Sequence, residues 1–278
     1  MFARVVDPAA MDTRTTLQLH TGREIPIIGL GTWQLTRDTA GAVEQALALG
    51  YLMIDTSGDY GTQPGVGEGI RRSGLARDKI YVVTKVEEDD DAYEATKRNL
   101  EELQLDYADL MLIHRPPPRG AGEGLWAGLL RARAEGLVRD IGVSNYTIEQ
   151  MKRLYDGSGE RPALNQIEWT PFGWSPEMLD FCGTEQIVIQ AYSPLTRATR
   201  LDDARLRQVA EGYGRTPAQL LLRWDLQHGV VPIPKANDRR HQEDNLALFD
   251  FEIADDDMAV LDGLNELASS LGDRVQYA

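Results

Sequence analysis

A chain of 278 residues, 42% of them apolar, is long enough to bury one large core. Acidic residues outnumber basic ones 44 to 29, and the formal charge of −15 disfavours unspecific binding to nucleic acid or to anionic membranes. A single cysteine, Cys182, excludes an intramolecular disulfide framework and fits a reducing, cytoplasmic setting. No stretch approaches the length of a membrane span, and Met1–Thr15 lacks the apolar centre of a signal peptide. Residues 1–15 are therefore expected as a flexible N-terminal extension, with Met11 a candidate second start. The four histidines (20, 114, 228 and 241) show no metal-ligand spacing, and no metal is expected.

In chain order, Thr15–Ile28 reads as a β-hairpin turning at Thr21-Gly22, and it leads into a first barrel strand at Ile27–Gly31. Seven further apolar runs follow, each ending in polar residues: Asp55, Lys85, His114, Ser144-Asn145, Gln166, Tyr192 and Lys235. Short apolar runs of this kind predict buried parallel strands. Between them lie amphipathic stretches at Thr39–Leu49, Val66–Ser73, Ala92–Leu103, Glu123–Glu135, Ile148–Leu154, Pro176–Cys182, Asp202–Gly212 with Pro217–Gln227, and Arg240–Leu246. Eight strands alternating with eight helical intervals predict a (β/α)8 barrel of the α/β class, forming one domain over residues 1–278. Asp255–Leu267 is expected as an extra C-terminal helix, and no stripe marks an interface, so a monomer is the expectation.

The polar strand ends matter because a (β/α)8 barrel carries its active site on that face. Asp55, Tyr60, Lys85 and His114 together suit reduction of a carbonyl. Tyrosine, with an ordinary pKa of about 10, donates a proton more readily when a cation stabilises its phenolate. Lys85 can supply that charge, Asp55 can hold Lys85, and His114 can hydrogen-bond the carbonyl oxygen. Each residue alone has a plain structural reading: an ion pair, a loop aromatic, a core histidine. The acidic run Glu87–Asp91 reads as the solvated start of a helix rather than a metal site. Gly29-Leu-Gly31 and Gly65–Gly69 do not complete G-x-G-x-x-G, so tight turns and close packing are expected there.

The ordered motifs Gly50–Gly61, Val83–Lys85, Asp109–His114, Ile141–Asn145, Asn165–Glu168, Ala191–Leu195 and Ile233–Lys235 with Asn245 resemble those of the aldo-keto reductases, from about Thr16 to Leu267. The resemblance implies a barrel that binds an extended nicotinamide cofactor without a Rossmann fold, and a catalytic tetrad of Asp55, Tyr60, Lys85 and His114. It implies that Ser144, Asn145 and Gln166 hold the carboxamide, that Tyr192 stacks on the ring, and that Ser193 and Leu195 line the pyrophosphate path. Lys235, Arg240, His241 and Asn245 would lie at the adenosine end.

Several positions depart from the family pattern. Ala236 stands where serine or threonine commonly follows the lysine, and His241 where NADPH-preferring members usually have arginine. NADPH is expected as cofactor with weakened discrimination, NADH being the competitor. Arg115 replaces a common tryptophan, Thr170 a common histidine, and Gln63-Pro64 a common Asn-Glu. Arg115 either caps the rim or meets a substrate carboxylate or polyol oxygens. Trp33, Trp169 and Trp174 are expected as apolar substrate walls, with core packing the equal alternative for each. The partner expected is a small-molecule aldehyde or ketone. Two rival functions remain: a lyase using Lys85 as a Schiff base, and a non-catalytic nucleotide-binding sensor.

Overall fold

The computed structural model describes residues 7–35 and 37–277. A two-stranded hairpin, β1 (Thr16–Gln18) and β2 (Glu24–Pro26), pairs antiparallel. Gly22 supplies the positive φ of its turn. Leu17, Leu19 and Ile25 are buried in the cluster that also holds barrel residues Met53, Val83, Leu110 and Val231. His20 reaches the Pro162 carbonyl and Arg23 reaches Asp140, so the hairpin meets the amino ends of two barrel strands.

Eight parallel strands follow: β3 (Leu30–Gly31), β4 (Met53–Asp55), β5 (Tyr81–Val86), β6 (Ala108–Ile113), β7 (Val138–Ser144), β8 (Leu164–Glu168), β9 (Val188–Tyr192) and β10 (Val231–Pro232). Each pairs with its sequence neighbour in one continuous sheet. Closure falls to β3 and β10. Pro232 and Pro234 have no N–H to extend β10, yet their carbonyls accept from Gly29 and Gly31 at 3.1 and 3.3 Å. A Cβ on Gly31 would lie 2.7 Å from the Ile233 carbonyl oxygen, so only glycine permits that approach. The architecture is the expected (β/α)8 barrel.

The outer layer comprises α1 (Thr39–Leu49), α2 (Gln63–Ser73), α3 (Ala92–Leu103), α4 (Glu123–Ala134), α5 (Ile148–Ser158), α6 (Pro176–Glu185), α7 (Ala204–Gly212), α8 (Pro217–Gln227) and α9 (Arg239–Leu246). Caps fix several helix starts. α3 begins at the expected Ala92, where Asp91 accepts from the amides of Tyr93 and Glu94. A glycine face on α2 explains Gly65–Gly69: a Cβ at Gly67 would collide with the Leu103 carbonyl, so α2 lies close against α3.

Two expectations need correction. The C-terminal helix α10 (Asp255–Asp262) stops five residues short of Leu267, because the amides of Glu266 and Ala268 bond the Phe172 carbonyl instead of continuing the helix. Of the expected N-terminal extension, residues 1–6 lie outside the described residues. Residues 7–15 pack on the barrel: Met11 is buried, and buried Arg223 donates to the Pro8 carbonyl at 2.9 Å. Among the described residues, no helix is long and apolar enough to cross a membrane.

Candidate active site

A cavity of about 680 Å³ opens at the carboxyl ends of the strands, lined by Asp55, Tyr60 and His114 on one side and by Tyr192, Ser193 and Lys235 on the other. The strands position these side chains by register: Asp55 ends β4, and Lys85 points into the barrel from β5. Lys85 is fully buried, with Nζ donating to Asp55 Oδ1 and Oδ2 at 2.8 and 3.0 Å and to the Thr56 carbonyl at 2.7 Å. The same ammonium lies 4.9 Å from the Tyr60 ring centroid. Burial works to lower the Lys85 pKa, but the charges and hydrogen bonds of Asp55 and Tyr60 outweigh it, and the net shift is upward.

Tyr60 sits in the turn after β4, with its ring edge-on to His114 at a centroid distance of 5.7 Å. Burial raises its phenol above the ordinary value; Lys85 opposes that by charge and hydrogen bond without overcoming it. Lys85 divides its charge between Asp55 and Tyr60, so the phenol stays protonated through the neutral range. His114 ends the β6 run, with Nδ1 2.7 Å from Glu87 Oε1.

A second network lies beside the first. Gln166 Nε2 donates to Asp55 Oδ2 and to Gln190 Oε1, both at 2.7 Å. Ser144 Oγ donates to the Gln166 carbonyl, and Asn145 Nδ2 donates to Ser144 Oγ and to the His114 carbonyl. Tyr192 donates its hydroxyl to Asn145 Oδ1 at 2.8 Å, which fixes the ring at the cavity wall. Gln166 Oε1 is left as an acceptor among the described residues, which suits an amide NH2 group. This donor and acceptor set, next to a fixed aromatic face, fits a nicotinamide.

The far end of the cavity is built differently. Ser193 and the run Thr196–Ala198 carry positive φ, and Leu195 lies half-buried beside them. Arg197 covers the Trp33 ring at 4.6 Å, bringing the loops after β3 and β9 together across the cavity. Lys235 is exposed on the wall, while Ala236 is buried. Arg240, His241 and Asn245 do not line the cavity. Arg240 is almost fully exposed. Asp238 caps α9 and also accepts from His241 Nδ1 at 2.8 Å, so a carboxylate occupies the positive end of that helix. Asn245 is buried beside Tyr51.

Of the expected substrate walls, Trp33 lines the cavity, while Trp169 and buried Trp174 do not. Trp169 is fully buried between Trp174 and Tyr277, stacked on the latter at 6.1 Å, and core packing replaces the wall expected there. Arg115 lines the cavity, but its guanidinium faces Glu87, Asp59 and Glu88 at 3.7, 3.8 and 3.9 Å. Asp59, Glu87 and His114 bring ligand atoms within 4.8 Å of one another, and Arg115 is the cation beside them. Sequence reasoning missed Asp59 and Glu87, although Glu87 stands only two residues beyond Lys85. It also missed the C-terminal tail: Glu168 accepts from Ser269 and Ser270, which brings Leu271 and Gln276 to the cavity.

The family model described as Aldo/keto reductase family matches residues 27–266. The chain belongs to the aldo/keto reductase family. Glyoxal reductase of Bacillus subtilis (strain 168) is 38% identical over 259 residues, covering 91% of this chain and 94% of that protein. Among solved structures, an aldo/keto reductase from Brucella melitensis superposes with a TM-score of 0.86 at 38% identity, covering 91% of this chain and all of that one. The aldo-keto reductase of Bombyx mori, solved in complex with NADP, gives 0.86 at 32% identity over 92% and 94% of the two chains. This chain is thus an oxidoreductase of the aldo/keto reductase family, with the barrel such enzymes share.

Proposed function

We propose that the protein reduces small aldehydes or ketones to alcohols with NADPH, Tyr60 acting as general acid. The observation that carries this reading is the meeting of Tyr60 and His114 at the cavity wall with the Asp55–Lys85 pair behind them. NADPH, the reduced form of the cofactor in the Bombyx mori complex, would supply the hydride. Ser144, Asn145 and Gln166 would hold its carboxamide, Tyr192 would cover one ring face, and Ser193, Leu195 and Lys235 would follow its phosphates. Tyr60 then gives its proton to the carbonyl oxygen, because a phenol is a far stronger acid than the alcohol being formed. The phenolate left behind is stabilised by Lys85, whose own charge is anchored by Asp55.

Arg115 is already engaged by three carboxylates, which favours neutral carbonyl compounds over anionic ones. Glyoxal, the compound named in the Bacillus subtilis relative, is a small neutral dicarbonyl and suits a rim of this kind. The lyase alternative is disfavoured, because Lys85 Nζ points at Asp55 and Thr56 and does not line the cavity.

The test is the loss of NADPH absorbance with neutral and carboxylated aldehydes, for wild type and Tyr60→Phe. Tyr60→Phe should lower kcat by about 10²–10⁴-fold, the usual range for a general acid, while NADPH binding stays within threefold. Equal turnover in the variant would remove Tyr60 from the mechanism. Substrate trapped on Lys85 by borohydride would instead revive the lyase.

A further inference from the structure

Glu87 does not behave as the solvated helix start that its acidic run suggests. Its carboxylate turns inward, with Oε1 2.7 Å from His114 Nδ1 and accepting from Ser57 Oγ at 3.3 Å. Burial works to raise the Glu87 pKa, but the His114 hydrogen bond and charge, Arg115 and Ser57 bring it below the usual carboxylate value. An ionised carboxylate has no proton to offer, so the contact has a single polarity: Nδ1–H donates and Oε1 accepts.

That polarity constrains the other ring nitrogen. Neutral imidazole carries one proton. If Glu87 keeps it on Nδ1, then Nε2 presents a bare lone pair, which repels a carbonyl oxygen and cannot polarise it. Only the imidazolium, protonated on both nitrogens, can donate from Nε2. We propose that Glu87 is a positioning residue that locks His114 in the Nδ1–H tautomer, making its hydrogen bond to a substrate carbonyl conditional on protonation of the ring. The inference rests on the carbonyl-reductase reading above. It adds a condition: reduction passes through the imidazolium, and oxidation of the alcohol retraces the same ring state, with Tyr60 taking the proton back.

The surroundings of His114 suit such a conditional charge. From the turn after β4, Asp59 Oδ1 stands 3.6 Å from Nδ1, and Tyr60 lies edge-on to the ring. From β5 and its loop come Lys85, committed to Asp55, then Glu87 and Glu88. Arg115, next in sequence, faces the three carboxylates at 3.7–3.9 Å rather than the imidazole. From the end of β7, uncharged Asn145 holds the His114 carbonyl at 3.2 Å.

The test combines 15N NMR of the His114 ring in cofactor-free protein with pH profiles of kcat/KM in both directions. Wild type, Glu87→Ala and Glu87→Gln are compared, the resonance being assigned by its loss in His114→Gln. In wild type the neutral ring should show the Nδ1–H pattern, and reduction should fall about tenfold per pH unit once the ring loses its charge. In Glu87→Ala the neutral ring should revert to Nε2–H, a donor without charge, so the alkaline fall in reduction should disappear. Glu87→Gln, which keeps the shape and can serve either nitrogen, should show a mixture of tautomers and a weakened fall. An Nε2–H pattern in neutral wild-type His114 would overturn the proposal, as would identical alkaline profiles in all three proteins. Were wild type to reduce no carbonyl at all, the functional reading would fail, yet the ring signature would still decide what Glu87 does.

Discussion

The two ends of the cavity are built on different principles. At the β4–β6 end, Asp55, Lys85 and His114 are buried, and each functional atom is held by named partners at 2.7–3.0 Å. At the β9–α9 end, Arg240 and His241 are exposed, and the start of α9 is capped by Asp238. A buried network has few alternatives, because any missing partner leaves a charge or polar group stranded. Exposed side chains carry no such penalty and can change with little effect on the fold. The proposed chemistry therefore rests on a buried network, whereas the proposed adenosine end is built from replaceable surface groups.

The largest effect that would break this comparison concerns Asp55. Asp55→Ala strands the Lys85 ammonium with no solvent access, and loss of one member of a buried pair costs about 3–5 kcal/mol. Urea unfolding should register that loss; a change below about 1 kcal/mol would mean the pair is not the anchor described here.

Asp225 on α8 sharpens the comparison, as a buried carboxylate outside the site. Neither of its oxygens has a hydrogen-bond partner among the described residues, and desolvation raises its pKa well above the ordinary value. A raised folded-state pKa means that the unfolded chain releases the proton first as pH rises. The stabilisation is fully present below the unfolded value of about 4 and is lost as pH climbs towards the folded value. Asp225→Asn should thus gain on wild type in unfolding free energy as pH increases from 5 to 8, by at most about 1.4 kcal/mol per pH unit. A constant difference across that range would show that Asp225 is ionised in the folded protein.

The smallest effect belongs to the exposed end. Asp238→Asn keeps an N-capping side chain but removes a negative charge from the start of α9. Removing that charge should raise the preference for NADPH over NADH roughly two- to fivefold. Measured affinities for both cofactors decide it, and a shift towards NADH would refute the placement of the 2′-phosphate near α9.

Much of the barrel is legible in the sequence because its strands are short apolar runs buried on both faces, and a two-sided burial pattern cannot be confused with a surface. Helix starts at Thr39, Ala92 and Pro217 follow from cap residues and periodicity that act within a few positions. The four residues Asp55, Tyr60, Lys85 and His114 are visible one by one at strand ends. Their resemblance to a family series, rather than any one spacing, joins them into a site.

The sequence by itself determined the period of strand and helix, the closure-permitting Gly29 and Gly31, and the polar residues at the carboxyl ends, all local in origin. Tertiary structure alone decided that Glu87 turns to His114, that Arg115 is engaged by carboxylates, that Trp169 lies under Tyr277, and that the tail from Ser269 reaches Glu168. The physical reason is range: propensities and caps act across a few residues, whereas these contacts join segments up to about a hundred residues apart and exist only once the barrel has closed.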